Sequence, residues 1–258
     1  MRLLWGENPW TNIRQAAEEG YLVVFPAGAI EQHGPMLPVD TDARLAERWA
    51  IEGAALARDK YHIQVLVLPP LHYGQSCHHM SFPGTLSLGF PTYVAAVADL
   101  LREVIRHGFR KIVVINGNGG NDAPLCCAQY QVMEELAKNG REARIYMFPN
   151  YSHPHIAARL KALRESGLMP DEGNLGIHAA GTETAETLAD RPHLVNRDAC
   201  VRPKLKRDTV PHWAWRTEEI SETGAFGDPS LATEEWGRAL WETWAEAIAQ
   251  FLNWVAQE

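Results

Sequence analysis

The sequence predicts an α/β fold, a mainly parallel sheet flanked by helices on both faces. Three observations carry that prediction. Apolar runs at 21–26, 63–68, 111–115 and 144–148 alternate with helical patterns, the rhythm of βαβ units. The first of these runs is apolar at every position, as in a strand covered on both faces. Two of the runs end in glycine-rich loops crowded with carboxylate, imidazole and amide side chains, where open α/β sheets bind ligands. A chain of 258 residues has room for one large domain, 1–258, with a sizeable core.

The elements follow in order. Thr11–Glu18 reads as a short helix that Thr11 caps. The strand Tyr21–Pro26 enters a loop controlled by Gly28, Gly34, Pro35 and Pro38, and a helix over Asp42–Lys60 follows, with Leu45, Trp49, Ala50 and Leu56 on one face. Ile63–Leu68 is the second strand, stopped by Pro69 and Pro70. The histidine-rich loop Leu71–Thr85 has the length of a functional loop rather than a connector. Neighbouring His78 and His79 are expected to point apart, so at most one faces a site. Pro91 opens a helix to His107, and Gly108 ends it. Strands at Lys111–Ile115 and Arg144–Phe148 bracket a helix over Ala123–Lys138, and Pro154–Ser166 is helical again. A Gly-, Pro- and acid-rich stretch at 167–176 is expected to be flexible. The last helix starts near Ser230 with a stripe of Leu240, Trp244, Ile248, Phe251 and Val255 for core or subunit packing. Trp213 and Trp215 are expected on an irregular, neighbour-facing arm.

A formal charge of −8 and a pI of about 5.8 exclude the basic face that nucleic-acid binding needs. Cys77, Cys126, Cys127 and Cys200 form no C-x-x-C pair, so they read as inert, buried or half-buried thiols. No basic segment leads into an apolar one at the N-terminus, and no run approaches 18 apolar residues. A cytoplasmic protein acting on a small molecule, away from membranes, is expected.

Glu31, His33 and Asp42 stand in the first loop. Singly they read as a solvated acid, a satisfied histidine and a helix cap. Glu31 and His33, two apart, share a side in extended chain, and Asp42 sits where free helix N–H groups favour a carboxylate. Together they suit a borderline divalent metal. The turn Asn116–Asp122 has the glycines to cradle a phosphate, but it is neither G-x-G-x-x-G nor a Walker loop. His178 and Glu183 stand at a loop-to-helix junction that Thr182 is placed to cap.

Glu31-Gln32-His33-Gly34-Pro35-x-Leu37-Pro38-x-x-x-Asp42 resembles the first metal-binding motif of the creatininase (creatinine amidohydrolase) family. Further segments are similar to that family. They are the Tyr73-Gly74…Phe82-Pro83-Gly84-Thr85 loop, the turn at Asn116–Asn121, and His178–Thr184 followed by Gly224–Pro229. The resemblance implies a creatininase-like fold, a hexameric homo-oligomer, and one or two divalent ions per subunit (Mn, Zn or Mg, with Fe admitted). It makes Glu31, His33 and Asp42 metal ligands, Glu183 a ligand or base, and His178 the group that transfers a proton at the substrate. Ser76, His78, Asn118 and His178 become substrate contacts, and Asp40 is a candidate to support the ligands from behind. Two departures stand out. Met36 replaces a frequent histidine, and Asn118 replaces a metal-binding histidine, which makes Asn118 a weak oxygen ligand and favours Mg²⁺ or Mn²⁺ over tight Zn²⁺. Asn174 stands where relatives that act on creatinine carry a covering tryptophan, which argues against creatinine. The implied chemistry is metal-assisted hydrolysis of a small, polar, cyclic amide C–N bond. The alternatives are ring-opening C–C hydrolysis of a keto-inositol and a non-catalytic binding protein.

Overall fold

The computed structural model describes residues 1–170, 178–207 and 214–258. Its strands are β1 (Leu22–Ala27), β2 (Val65–Val67), β3 (Lys111–Asn116) and β4 (Arg144–Met147), all parallel, in the order β2-β1-β3-β4. Its main helices are α1 (Trp10–Glu18), α2 (Thr41–Tyr61), α3 (Phe90–Arg106), α4 (Asp122–Lys138), α5 (Pro154–Glu165), α6 (Gly181–Asp190) and α7 (Glu234–Gln257). Most predicted boundaries hold within a residue or two. The second strand is shorter than expected, because only Val65–Val67 pairs with β1.

β1, β2 and all of β3 after Lys111 are buried on both faces, whereas β4, at the sheet edge, is buried only at Ile145. Leu22, Val24, Val113 and Ile115 face a core completed by α2, α5, α6 and α7. Val23, Phe25, Ile112 and Val114 face a second core under α1, α3 and α4. This period-2 division of an apolar strand is what a doubly covered sheet requires. The predicted stripe on α7 is core: Leu240, Trp244, Ile248 and Val255 are buried, and Trp244 stacks on Trp49 of α2 at 4.2 Å. Burying side chains of this size contributes roughly 1.5–3 kcal/mol each.

Several local expectations are corrected. Pro9, not Thr11, precedes the first helix, and Thr11 lies inside it without a capping bond. Ala180 precedes α6, so Thr182 is a first-turn residue rather than its cap. The last helix begins at Glu234, where the Thr233 side chain accepts from the Trp236 N–H, after a separate 3₁₀ turn at Pro229–Leu231. Cys77, Cys126 and Cys127 are exposed rather than buried, and Cys200 is half-buried. The stretch 171–177, with Asn174, and Trp213 lie outside the described residues.

The chain turns back on either side of β1, toward β2 on one flank and β3 on the other. The carboxyl ends of β1 and β3 therefore form a topological switch point, the usual ligand crevice. The first turn of α2 is driven hard into that crevice. A Cβ on Gly28, just past β1, would lie 2.2 Å from the Ala43 Cα, and one on Gly117, just past β3, 2.5 Å from the Asp42 carbonyl. Both neighbours are backbone and cannot rotate away. Gly28→Ala must therefore push α2 and Asp42 out of the crevice, costing about 1–3 kcal/mol and lowering divalent-metal uptake. Gly119→Ala, whose Cβ would meet nothing within 4 Å, should stay within about 0.5 kcal/mol of wild type. Denaturant melts and metal titrations of the two variants check this pair.

Candidate metal centre and active site

Loop 28–40 delivers Glu31 and His33, and the first turn of α2 delivers Asp42. A 3₁₀ turn at Cys77–His79 delivers two histidines, and the start of α6 delivers His178 and Glu183. Glu31, His33 and Asp42 are all at most 2% exposed. The His33 Nδ1–H donates to the Glu31 carbonyl at 3.1 Å, which leaves the Nε2 lone pair facing Asp42 Oδ1 at 3.1 Å and Glu183 Oε1 at 3.7 Å. Glu183 is fixed by its other oxygen, which accepts from the Ala179 N–H at 2.5 Å. Ala179 adopts φ +48°, a left-handed conformation, and such strain in a non-glycine residue is held by its surroundings at sites of function.

Gln32 lies at the centre of a second set of bonds. Its Oε1 accepts from the Gly34 N–H at 2.9 Å, so its Nε2 is the donor end. That nitrogen reaches the Gly224 carbonyl at 3.1 Å, His178 Nε2 at 2.9 Å and His79 Nδ1 at 2.9 Å. A Cβ on Gly224 would lie 1.9 Å from Gln32 Oε1, which explains the glycine there. On the far side of His178, Nδ1 faces Glu31 Oε1 at 3.5 Å.

The electrostatics follow from burial. Burial, then the charge of Asp42, pushes the Glu31 carboxyl well above its ordinary range, against a smaller opposing pull from His33. Burial also raises Asp42, opposed by His33. At His33 burial opposes the charge, but the carboxylates of Asp42 and Glu183 outweigh it and raise the pKa well above normal. Burial, helped by the neighbouring imidazoles, depresses His178 and brings His79 down to about 2. His78 is lowered by burial alone. His78, His79 and His178 are thus held neutral, the form that binds metals, whereas the carboxylates around His33 favour its protonated form until a cation takes their charge.

These residues fit a divalent cation. Glu31 Oε2, His33 Nε2 and Asp42 Oδ2 are buried polar atoms without a hydrogen-bond partner. His33, Asp42 and Glu183 bring one donor atom each within 4.8 Å of one another, as do Glu31, His33 and His178. Two donors each about 2.1 Å from one ion stand about 3.0–3.4 Å apart, close to the 3.1 Å between His33 and Asp42. Such buried orphans are costly without a bound partner.

A cavity of about 390 Å³ opens beside this cluster, lined by Glu31, His78, His79, Asn118, His178 and, opposite them, Trp215 and Phe226. Of the predicted substrate contacts, His78, Asn118 and His178 thus line it. Ser76 does not. It is fully buried behind Asn118, whose Nδ2 donates to its Oγ at 3.2 Å. Asn118 Oδ1 already accepts from the Gly120 N–H at 2.9 Å, so its amide is committed to the turn. Asp40 does not support the ligands. It pairs with Arg191 through both oxygens at 2.8 and 2.9 Å. His78 and His79 do not point apart, because a 3₁₀ turn replaces extended chain and sets their rings 4.1 Å apart on one wall. Trp215 faces inward, edge-on to His78 at 5.0 Å. Gln32, Trp215 and Phe226 were not singled out from the sequence as site residues, and His79 was expected only as an alternative to His78. The sequence signal for Gln32 was its place between two ligands, and for Phe226 its place in the Gly224–Pro229 segment.

Comparison with known proteins identifies a family and a fold. The profile of the creatininase family, described as creatinine amidohydrolase, matches residues 7–252. The mycofactocin precursor peptide peptidase of Mycolicibacterium smegmatis is 32% identical over 231 residues, covering 85% of this chain and 79% of that protein. The creatinine amidohydrolase of Pseudomonas putida is 29% identical over 256 residues, covering 96% and 95%. A solved structure titled "Creatininase Mn" superposes with a TM-score of 0.84 at 25% identity, covering 97% of both chains.

Behind the cluster, Glu186 lies one turn beyond Glu183 on α6. Its Oε1 accepts from Trp49 Nε1–H at 2.9 Å, while Oε2 has no partner. Burial raises its pKa from 4.5 to about 8. The folded state therefore keeps a proton that the unfolded chain loses above its ordinary pKa. The stability from this group is complete at acid pH and is lost as pH rises through the window up to about 8. The loss is on the order of 5 kcal/mol at most. Glu186→Gln cannot ionise, so its melting temperature should gain on wild type by several degrees from pH 5 to pH 8. A gap that stays flat across that range would contradict the assignment.

Proposed function

The chain belongs to the creatininase family, and on that premise we propose that it is a metal-dependent hydrolase of an amide C–N bond in a small substrate. The orphaned donors of Glu31, His33 and Asp42 beside an open cavity carry the reading. The ligands proposed are His33 and Asp42 for one ion, with Glu31 at its border and Glu183 Oε1 beside them, 3.7 Å from His33 Nε2. The ion, when bound, supplies Lewis-acid polarisation of a carbonyl and acidifies water near neutral pH.

The protein's own groups supply the rest. Glu183, anchored through one oxygen by Ala179, keeps the other free to take a proton from attacking water and return it to the leaving nitrogen. His178 has Nε2 occupied by Gln32, so its Nδ1 carries the proton. We assign it a hydrogen bond to the substrate's polarised oxygen, while Glu183 takes the proton-transfer role that the family resemblance gives to His178. The His78, Trp215 and Phe226 rings, inclined to one another by 79° and 57°, form an aromatic wall, and one ring face there offers a planar amide group a stacking partner, which favours an amide over a polyol. Both the peptide-cleaving and creatinine-cleaving relatives act on C–N bonds, in keeping with that choice. A homo-oligomer is the assembly we carry over from the family.

A panel of cyclic amides, formamides and short peptides, followed by amine release, tests the reading. Chelation should abolish turnover and Mn²⁺ or Zn²⁺ restore it. Glu183→Gln should lose about 10²–10⁴-fold in kcat, the range for a general base. Metal-replete protein that releases no amine from any amide, yet forms acid from a cyclic keto-polyol, would replace this reading with ring-opening C–C hydrolysis.

A further inference from the structure

We propose that a second cavity, which shares the Asn118–Gly119 turn with the first, binds an ammonium or guanidinium group on the amine half of the substrate. The inference rests on the amide-hydrolase reading above and names what the leaving nitrogen carries.

This cavity, of about 510 Å³, is the larger of the two. Asn118 and Gly119 line both, and no other residue does. Its place beside the reacting bond follows from Glu183, which lines it and whose Oε1 lies 3.7 Å from His33 Nε2. In the hydrolysis proposed, water's oxygen joins the carbonyl carbon, the C–N bond breaks, and Glu183 passes water's proton to the departing nitrogen. The nitrogen leaves beside Glu183, so the chain attached to it extends into this cavity.

The lining is acidic and aromatic. Asp122, Glu183 and Glu186 contribute carboxyl groups, Trp49, Trp244 and Tyr151 contribute rings, and no lysine or arginine stands among the described lining residues. Trp49 stacks on Trp244 at 4.2 Å, and Tyr151 meets Trp244 edge-on at 5.2 Å. Ring faces combined with carboxylates are the surroundings that hold ammonium and guanidinium groups.

Two observations go beyond a cluster of acids. Glu186 is 1% exposed, its Oε1 is taken by Trp49, and its Oε2 has no partner. Asn150 is held in a left-handed conformation, φ +45°, while its Nδ2 donates to the Asn116 carbonyl at 3.1 Å. That leaves Asn150 Oδ1, also buried and unpartnered. Both orphaned atoms of this lining are oxygens, and a cationic nitrogen group, which only donates, serves them both. Burial raises the Glu186 carboxyl to about 8, and a cation beside it supplies the charge that lets it ionise. Arg48 gives it only a weak pull. That guanidinium is committed to Asp190 at 2.8 Å and Glu52 at 2.6 Å, and lies over the Trp241 ring.

The probes for a test are n-butylguanidinium and neutral 1-butanol, titrated calorimetrically into Mn²⁺-loaded protein. The guanidinium should bind about tenfold more tightly or better. Glu186→Gln keeps the shape but cannot ionise, and should erase most of that preference. Tyr151 is 55% exposed, so Tyr151→Ala should fold normally and weaken guanidinium binding about 2–5-fold, the worth of one cation–π contact. Trp215→Ala, in the other cavity, should leave the preference unchanged. Amides whose leaving amine ends in an ammonium group should likewise exceed their hydroxyl-ended counterparts in kcat/KM. Equal affinity for the two probes, a preference that survives Glu186→Gln, or one lost only in Trp215→Ala would overturn the cation site and leave the hydrolase reading standing. The expected pattern of binding in a protein that releases no amine from any amide would keep the cation site and overturn the hydrolysis.

Discussion

The wedge of the α2 first turn between the ends of β1 and β3 is the constraint on which the site depends. Gly28 and Gly117 supply the missing side chains that let helix backbone touch strand-end backbone. That contact sets Asp42 between the two loops of the switch point, 3.1 Å from His33. It also buries carboxylate against carboxylate. Asp42 and Glu183 offer oxygens less than 4.8 Å apart, a repulsion of about 3–4 kcal/mol at an effective dielectric of 20. No lysine or arginine ion pair reaches Glu31, Asp42 or Glu183 among the described residues. A cluster of this kind is stabilised by what binds it, and without a bound cation it is a local cost carried by the rest of the fold.

The rest of the fold is built to carry it. α7 lies along both α2 and α6, the two helices that present Asp42 and Glu183. Trp49 and Trp244 stack between α2 and α7, and Trp241 Nε1–H donates to the Glu186 carbonyl on α6 at 3.1 Å. A Cβ on Gly237 would lie 1.9 Å from the Ala185 carbonyl, so α6 and α7 approach as closely as α2 and the strands do. Arg44 and Arg48 close the outer side by pairing with Asp190 at 2.7 and 2.8 Å. Rigid helices held this way keep ligand atoms within the tolerance a metal site needs.

Much of this was legible in the sequence, for a local reason. Strand, loop and helix N-terminus are contiguous from Tyr21 to Asp42, so periodicity and turn chemistry brought three candidate ligands together with no tertiary knowledge. The alternation of apolar runs and helical patterns likewise determined the sheet. The misreadings share another cause. His78 and His79 converge because a 3₁₀ turn rotates successive side chains, and nothing in the composition of that loop distinguishes a turn from extended chain. Trp215 faces inward because Phe226 and the two histidines give its ring an apolar wall, a contact between segments more than a hundred residues apart. Gln32 was given no role of its own from the sequence. Its role emerges only when His79, His178 and Gly224 are brought to it from three distant segments. Ser76 was read as a substrate contact because its neighbours are, yet it supports Asn118 from behind.

The site thus has two parts with different mechanical character. The proposed cation ligands Glu31, His33 and Asp42, with Glu183 beside them, are set at strand ends and helix starts, where the backbone is fixed by the sheet and by α7. The opposing wall of His78, Trp215 and Phe226 is carried on long connections, 68–89 and 214–233, outside the sheet. Loops of this kind change without disturbing the scaffold. A chain of this architecture therefore keeps one electrostatic centre while its wall determines what is brought to it. That division is in keeping with a family whose members are named for a peptide in one case and for creatinine in another, and with a chemistry that is easier to read than the substrate. Specificity is then expected to follow the aromatic wall, whereas the rate of bond cleavage follows the buried carboxylates and imidazoles.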